Sequence, residues 1–223
     1  MATHEVGTFQ VTSRDAACVD SEPGQDVVPN LRAATPAEAP LILALTLAAY
    51  EEYRGVLVPE SGVFRETVEH VRSHLEGGAE APGPASAAAD SIVPARSGGV
   101  IAWVDGEAVG CARWSVVVDE APAEAERPGS GRGRPGAFLY VGRVAVLPAH
   151  RGRGVATALM AWCERLAADR GLREVRLGVR LGLARNEALY RRLGYRTTGP
   201  LEEREGYGPI ARWMAKSLGD GAD

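Results

Sequence analysis

The spacing of hydrophobic and polar positions along the chain predicts alternating strands and helices. Apolar residues recur at helical spacing in four segments, 36–53, 62–76, 154–170 and 186–195. Apolar runs typical of strands occupy 30–35, 100–104, 107–118, 137–147 and 173–179, and a closing strand is expected at 211–218. This order of elements predicts an α/β fold with a mixed, mostly antiparallel central sheet flanked by about four helices.

Residues at the helix ends support these boundaries. Thr35 is the expected N-cap of the first helix, with Pro36 at its first position and Glu38 completing a capping box. Asn186 is the expected cap of the last helix, and Gly194 its stop.

The low-complexity stretches predict how the chain is organised. Residues 1–29 lack a sustained period and predict a flexible N-terminal tail, and 219–223 a short C-terminal one. Residues 30–218 are expected to form a single domain. Within it, 77–99 and 119–136 are rich in Gly, Ala and Pro and predict long loops.

Composition and charge exclude several classes of protein. The formal net charge of −4 argues against a nucleic-acid-binding protein, which would carry a basic surface. The longest apolar stretch, 40–50, is too short to cross a membrane, and no signal peptide is recognisable. Cys18, Cys111 and Cys163 form no C-x-x-C motif, so we expect buried, reduced thiols and a cytoplasmic location.

His70 and His74 are four residues apart on a predicted helix, a spacing at which two histidines can share a metal ion. The glutamate of an H-E-x-x-H motif is replaced by Val71. We therefore expect a solvated helix face here and no metal.

The densest combination of glycine and arginine that precedes a helix is HRGRGVATAL, residues 150–159. A helix start leaves backbone N–H groups without partners, and glycine lets a ligand approach the backbone closely. Together they predict an anion site suited to phosphate. The similar string at 129–136 precedes a strand, so we expect a solvated loop there.

Two common phosphate motifs do not fit this junction. The G-x-x-x-x-G-K-[ST] string of the P-loop is absent. The dinucleotide fingerprint lacks its third glycine, because Gly152 and Gly154 are followed by Val155, Ala156 and Thr157. A dinucleotide-binding oxidoreductase is thus disfavoured.

The motif that does match is R-x-x-G-x-A, formed by Arg151, Gly154 and Ala156 after an apolar strand. A second motif, N-x-x-x-Y, places Asn186 and Tyr190 in NEALYRRLGY, residues 186–195. In this order and separation, the two motifs resemble those of the GNAT superfamily of N-acetyltransferases. The resemblance covers about residues 137–195 and implies a sheet that splays apart to form an acetyl-CoA cleft.

The resemblance also implies the roles of individual residues toward acetyl-CoA, which would be a cosubstrate. The loop and helix start would bind the pyrophosphate, the strand before them would align the pantetheine arm, and Asn186 would contact that arm. The residues concerned are Val144, Ala145, Val146, Arg151, Gly152, Arg153, Gly154, Val155, Ala156 and Asn186. A backbone N–H near Val146 would stabilise the oxyanion.

Catalysis by direct attack of an amine requires an acid and a base. Tyr190 is the expected acid for the leaving thiolate, because a phenol is protonated at neutral pH. Many relatives carry a glutamate on the strand before the loop, but 137–147 contain no carboxylate. We expect Glu52 to act as the base, and five other residues stay open: Glu51, Glu60, Glu203, Glu205 and His150.

The predicted function is thus transfer of an acetyl group from acetyl-CoA to a primary amine of a small molecule or peptide. The alternative is a GNAT-like module that binds an acyl-CoA without turnover. Neither nucleic acid nor a membrane is an expected partner, and a homodimer is compatible with the strand sharing seen in relatives. The sequence does not identify the amine.

Overall fold

A computed structural model describes residues 27–77, 97–118 and 136–219. The strands are β1 (Asn30–Ala33), β2 (Ser97–Val104), β3 (Glu107–Val118), β4 (Ala137–Val146), β5 (Glu174–Arg180), β6 (Arg196–Arg204) and β7 (Gly208–Ser217). The α-helices are α1 (Ala39–Tyr50), α2 (Val68–Leu75), α3 (Val155–Asp169) and α4 (Ala184–Arg192). One sheet of seven strands results, in the order β1-β2-β3-β4-β5-β7-β6.

The sheet is mixed and mostly antiparallel, as the order of elements predicts. Every neighbouring pair is antiparallel except β4 and β5, which run parallel. A parallel pair needs a crossover, and α3 supplies it between the two strands. The N-terminus of α3 therefore lies next to the end of β4, where the glycine-rich loop is.

Helices cover the two faces of the sheet. On one face, α1 and α2 pack over Ile101, Cys111 and Ala145. On the other face, the apolar stripe of α3 packs against the sheet, and Leu159 and Cys163 are fully buried there. Complete burial of a side chain such as Leu159 contributes about 1.5–3 kcal/mol to folding.

The first helix agrees with its prediction, whereas the second is shorter than predicted. Thr35 and Glu38 form the expected capping box. The predicted helix over 62–76 is a 3-10 turn, Gly62–Arg65, followed by α2. The break occurs because Thr67 caps α2 by accepting a hydrogen bond from the His70 backbone N–H.

His74 corrects the expectation of a solvated histidine face. Its ring is buried, with Nε2 3.2 Å from the carbonyl oxygen of Gly98. Burial, together with the nearby Arg113, lowers the pKa of His74 to about 4. Among the described residues, no group of three or more metal-ligating side chains occurs.

The C-terminal part differs from the prediction at two places. Asn186 is the third residue of α4 and not its cap, which is Leu183. Gly194 ends the helix region as expected, with a φ of 90°. The closing segment contains two strands, because β6 precedes β7 and pairs with it. β6 is exposed along most of its length, so it lacks the apolar alternation that predicts a strand.

Several predictions concern residues outside the described ranges. These are most of the tail 1–29, the central parts of loops 77–99 and 119–136, the last residues of 219–223, and Cys18. Within the described part, no helix is long and apolar enough to span a membrane.

Candidate active site

β4 and β5 separate soon after they pair, and this opens a cleft in the sheet. Only Leu139–Val175 and Tyr140–Arg176 are paired between the two strands. Beyond them, β4 continues to Val146 without a partner on its β5 side. The resulting cleft has a volume of about 710 Å³, which is in the range of small-molecule and cofactor sites.

A β-bulge in β4 accompanies this separation. Cys111 of β3 faces Ala145, but Arg113 faces Gly142, so β4 has one residue more than β3 over this interval. Arg143 lies in the bulge with a φ of 52°, which is the left-handed region. Such bulges bend a strand and increase its twist, which turns β4 away from β5.

The loop between β4 and α3 presents a series of unpaired backbone donors. Gly152 and Gly154 have φ values of 73° and 81°, which a residue with a side chain adopts only with strain. From Gly152 to Thr157, no backbone N–H donates to an acceptor in the described part of the chain. Since the dipole of α3 adds positive potential at the same point, an anion would be stabilised there.

Arg151 differs from its neighbours in the loop, because protein groups occupy both its backbone and its side chain. Its N–H donates to the carbonyl oxygen of Pro148 at 3.3 Å. Its guanidinium donates to the carbonyl oxygens of Val146 and Ala49, at 3.2 and 2.9 Å. The side chain therefore ties the loop to β4 and to the end of α1.

Glu52, the expected base, lies at the rim of the same cleft and forms an ion pair with Arg151. Its Oε2 is 2.7 Å from Arg151 Nη1, and its side chain is 42% exposed. Burial raises the pKa of Glu52, but hydrogen bonds from Arg151 and Tyr53 outweigh it, so the pKa lies below the ordinary value. The carboxylate is ionised at neutral pH.

Tyr190 lies on α4 and lines the cleft. Its ring packs edge-on against Tyr195, with the centroids 6.0 Å apart. Burial, reinforced by neighbouring tyrosines, raises the pKa of the Tyr190 hydroxyl, which is therefore protonated at neutral pH. No hydrogen bond joins this hydroxyl to another residue in the described ranges, so it is available to a ligand.

The cleft brings together nearly all the residues that the motifs predict. Tyr190, Glu52 and nine of the ten residues assigned to acetyl-CoA line it, and Arg153 does not. The carbonyl oxygen of Arg153 instead accepts a hydrogen bond from the Val27 N–H at 3.2 Å.

Sequence reasoning missed two arginines of the cleft wall. They are Arg143 on β4 and Arg180 on β5. Behind Gly178 of the same wall, the Tyr140 hydroxyl and Glu202 Oε2 each lie 3.9 Å from where a Cβ on Gly178 would be. The one available signal was Gly142-Arg143, which interrupts an otherwise apolar strand; the other residues meet only through the fold.

Comparison with known proteins identifies the family. The model of the acetyltransferase (GNAT) family matches residues 68–195, more than half of the chain. The chain belongs to the GNAT acetyltransferase family. The match includes the cleft lining from Val141 onward, the glycine-rich loop and α4, and it agrees with the resemblance inferred from the two motifs.

Solved structures of similar fold are also GNAT proteins. PaiA N-acetyltransferase from Thermoplasma acidophilum, in complex with coenzyme A, is 13% identical (86% of this chain and 100% of that chain covered, TM-score 0.58). Arabidopsis thaliana NAA60, in complex with acetyl-CoA, is 17% identical (86% and 99%, TM-score 0.57). The ribosomal-protein-S18-alanine N-acetyltransferase of Escherichia coli is 15% identical (88% and 99%, TM-score 0.56). At these identities the likeness concerns the fold, and a comparison with curated proteins finds no match.

Proposed function

We propose that this GNAT protein transfers the acetyl group of acetyl-CoA to a primary amine by direct attack. The observation that carries the proposal is one cleft that contains both the Tyr190 hydroxyl and the unpaired amides of Gly152 and of residues 154–157. Two of the structural neighbours hold coenzyme A or acetyl-CoA, which supports this cofactor.

Some residues of the cleft would bind acetyl-CoA, and others would orient the loop that binds it. The amides of the loop and α3 bind the pyrophosphate, and the free edge of β4 at 144–146 lies along the pantetheine arm. Asn186 contacts that arm from α4. Arg151 orients the loop through its contacts with β4 and α1, and a backbone N–H near Val146 stabilises the oxyanion.

The reaction has a simple balance of bonds and protons. The nitrogen lone pair of the amine forms a bond to the thioester carbon, and the C–S bond breaks with its electron pair on sulfur. Tyr190 donates a proton to this sulfur, and solvent returns one to the phenolate. Glu52, acting through water, removes the proton that the nitrogen must lose.

Tyr190→Phe tests the proposal. It should lower kcat about 10²-fold or more, because it removes the proton donor, while acetyl-CoA still raises Tm as in the parent. Since the pKa of Tyr190 is raised, the parent should keep its kcat beyond pH 10, the ordinary pKa of a tyrosine. The assay follows thiol release from acetyl-CoA with a panel of primary amines at several pH values.

The exposed Tyr207 provides the matched control. Tyr207→Phe should leave both kcat and the acetyl-CoA-induced change in Tm at the parent values. If acetyl-CoA stabilises the parent but no amine releases thiol, the chain is an acyl-CoA-binding module without turnover. If Tyr190→Phe is as fast as the parent at every pH, Tyr190 is not the acid.

A further inference from the structure

The face of the sheet opposite α3 has a gap at Gly178. Val175, Leu177 and Val179 of β5 belong to the core that α3 covers. Alternate residues of a strand point to opposite faces, so Gly178 points away from this core, and it is exposed. Because Gly178 also lines the cleft, the gap adjoins both solvent and the cleft.

Two oxygen atoms border the gap at Gly178. The Tyr140 hydroxyl and Glu202 Oε2 each lie 3.9 Å from where a Cβ on Gly178 would be, and no atom outside residues 177–179 lies nearer. The gap thus accommodates a group of the size of a methyl group or an amine. A nitrogen there forms a hydrogen bond with either oxygen after a shift of about 1 Å, since such bonds are about 2.7–3.2 Å long.

The register of the last two strands brings Glu202 to the gap. Ala211 of β7 pairs with Glu202 on β6 and with Arg180 on β5. Paired residues project to the same face of a sheet, so Glu202 stands on the face to which Gly178 opens. Glu202 is also the half-buried residue of β6, whose other residues are exposed. β6 thus brings one carboxylate to the gap.

Neither oxygen of the gap is engaged by the protein. Within the described ranges, the Glu202 carboxylate and the Tyr140 hydroxyl form no hydrogen bond and no ion pair. Arg180 interacts with Glu202 through space, but its Nη2 donates to the carbonyl oxygen of Pro59 at 2.6 Å. Both oxygens are therefore available to a ligand.

Arginines near the gap favour the neutral form of a bound amine. In the described part of the chain, the guanidinium groups near Tyr140 or Glu202, or on the same face of β5, are those of Arg113, Arg143, Arg176, Arg180 and Arg204. Glu174 pairs with Arg176, and Glu66 pairs with Arg113 and Arg143, which leaves the arginines in excess. Nearby positive charge lowers the pKa of an ammonium ion, so an amine loses a proton more readily here than in water.

We infer that the acceptor amine binds at the gap, in contact with Tyr140 and Glu202, and that Glu202 accepts its first proton. This inference rests on the proposed acetyl transfer. A primary amine like that of lysine has a pKa of about 10, so in neutral water it is mostly an ammonium ion without a lone pair. It must lose one proton before the attack, and the proton assigned to Glu52 leaves after it.

This first proton transfer has its own balance of bonds. One N–H bond of the ammonium ion breaks with its electron pair on nitrogen, which becomes the attacking lone pair. The proton moves to Glu202 Oε2, and the carboxyl group releases it to water before the next turnover. The Tyr140 hydroxyl oxygen accepts a hydrogen bond from a second N–H and so orients the nitrogen.

Glu202→Gln tests the proton transfer in the thiol-release assay. The acceptor is the primary amine with the highest kcat/KM for the parent in a panel of amino acids, polyamines, aminoglycosides and short peptides. At neutral pH the variant should lose about 10²-fold in kcat/KM, because glutamine cannot accept the proton. One pH unit above the pKa of the amine, where most of it is already neutral, kcat/KM should return to within about threefold of the parent at the same pH.

Glu107→Gln, at the exposed start of β3, is the control and should keep the kcat/KM of the parent at both pH values. In both variants acetyl-CoA should raise Tm as it does in the parent, because neither residue lines the cleft.

Gly178→Ala tests the position of the amine independently of the carboxylate. The backbone at Gly178 is outside the left-handed region, and the added Cβ would have ordinary contacts at 3.9 Å, so the fold should be kept. The new methyl group occupies the place assigned to the amine. It should lower kcat/KM at least about tenfold at both pH values, while the change in Tm with acetyl-CoA stays at the parent value.

Three results would overturn the inference. Glu202→Gln is as active as the parent at neutral pH, Glu202→Gln loses the same factor at both pH values, or Gly178→Ala reacts as fast as the parent. Failure of the proposed function gives a different result, because the parent itself then releases no thiol with any amine of the panel.

Discussion

At the scale of single residues, Arg151 combines contacts with three parts of the chain. Its guanidinium bonds to the carbonyl oxygens of Ala49 and Val146 and to the carboxylate of Glu52. These contacts engage each of its three guanidinium nitrogens and use three of its five N–H donors. They support a role in holding the loop in place, so that neighbouring backbone amides meet the ligand.

The ion pair raises a specific question about Glu52, which is either the base or a support for Arg151. If Glu52 is the base, Glu52→Gln should lower kcat about 10²-fold and leave the affinity for acetyl-CoA unchanged. Kinetics together with the acetyl-CoA-induced change in Tm measure both quantities.

The adjacent glutamate offers the control. Glu51 pairs with Arg54 and does not line the cleft, so Glu51→Gln should change neither quantity. A Glu52→Gln variant that loses acetyl-CoA affinity but keeps kcat would contradict the assignment as base and establish a positioning role.

At the scale of elements, α3 begins and ends with a glycine in the left-handed conformation. Gly154, at its N-terminus, has a φ of 81°, and Gly171, beyond its C-terminus, a φ of 69°. Only the first of these lies at the cleft. The two positions therefore separate the backbone strain of a substitution from its effect on ligand binding.

Leucine at either position should cost about 1–2 kcal/mol of stability, because a residue with a side chain is strained there. Gly154→Leu should also lose the stabilisation by acetyl-CoA, about 2.7 kcal/mol at a concentration 100 times Kd, whereas Gly171→Leu should keep it. Urea unfolding with and without acetyl-CoA measures both terms. Equal stabilisation of the two variants would refute the role of the loop.

At the scale of the whole molecule, a buried ion-pair cluster connects the layer of α1 and α2 to the sheet. Glu66 precedes α2 and binds Arg113 on β3 and Arg143 on β4. Burial raises the pKa of Glu66, but the two arginines outweigh it, and the pKa lies below the ordinary value. The cluster thus couples the packing of the helices to the position of the bulge at the cleft.

Removal of the shared carboxylate should destabilise the fold, because the buried Arg113 and the part-buried Arg143 would lose their counter-charge. Glu66→Gln should lower the free energy of unfolding by about 3 kcal/mol in urea denaturation. The exposed Glu69, paired with Arg72, is the control, and Glu69→Gln should change stability by less than about 0.5 kcal/mol. Similar effects of the two substitutions would show that the cluster is not a major source of stability.

Local patterns were sufficient for much of the fold. The helix over 36–53, the hairpin at Asp105-Gly106 and the strand before the loop follow from periodicity, capping and turn residues, which act between near neighbours in the chain. β6 was missed because an exposed edge strand has no alternation to detect. Asn186 was misplaced because a residue that can cap a helix also fits within its first turn.

The sequence by itself determined the family, the glycine loop at the start of α3 and the candidate acid Tyr190. Each follows from a short contiguous motif, in which the spacing of residues reflects the local geometry of a loop or helix. Tertiary structure alone decided which groups the guanidiniums of the cleft contact. Arg151 bonds to β4, to α1 and to Glu52, whereas Arg143 shares Glu66 with Arg113 and Arg180 bonds to the carbonyl oxygen of Pro59. Charges interact through space, so the partners of a charged side chain depend on how the chain folds and not on the order of residues in the sequence.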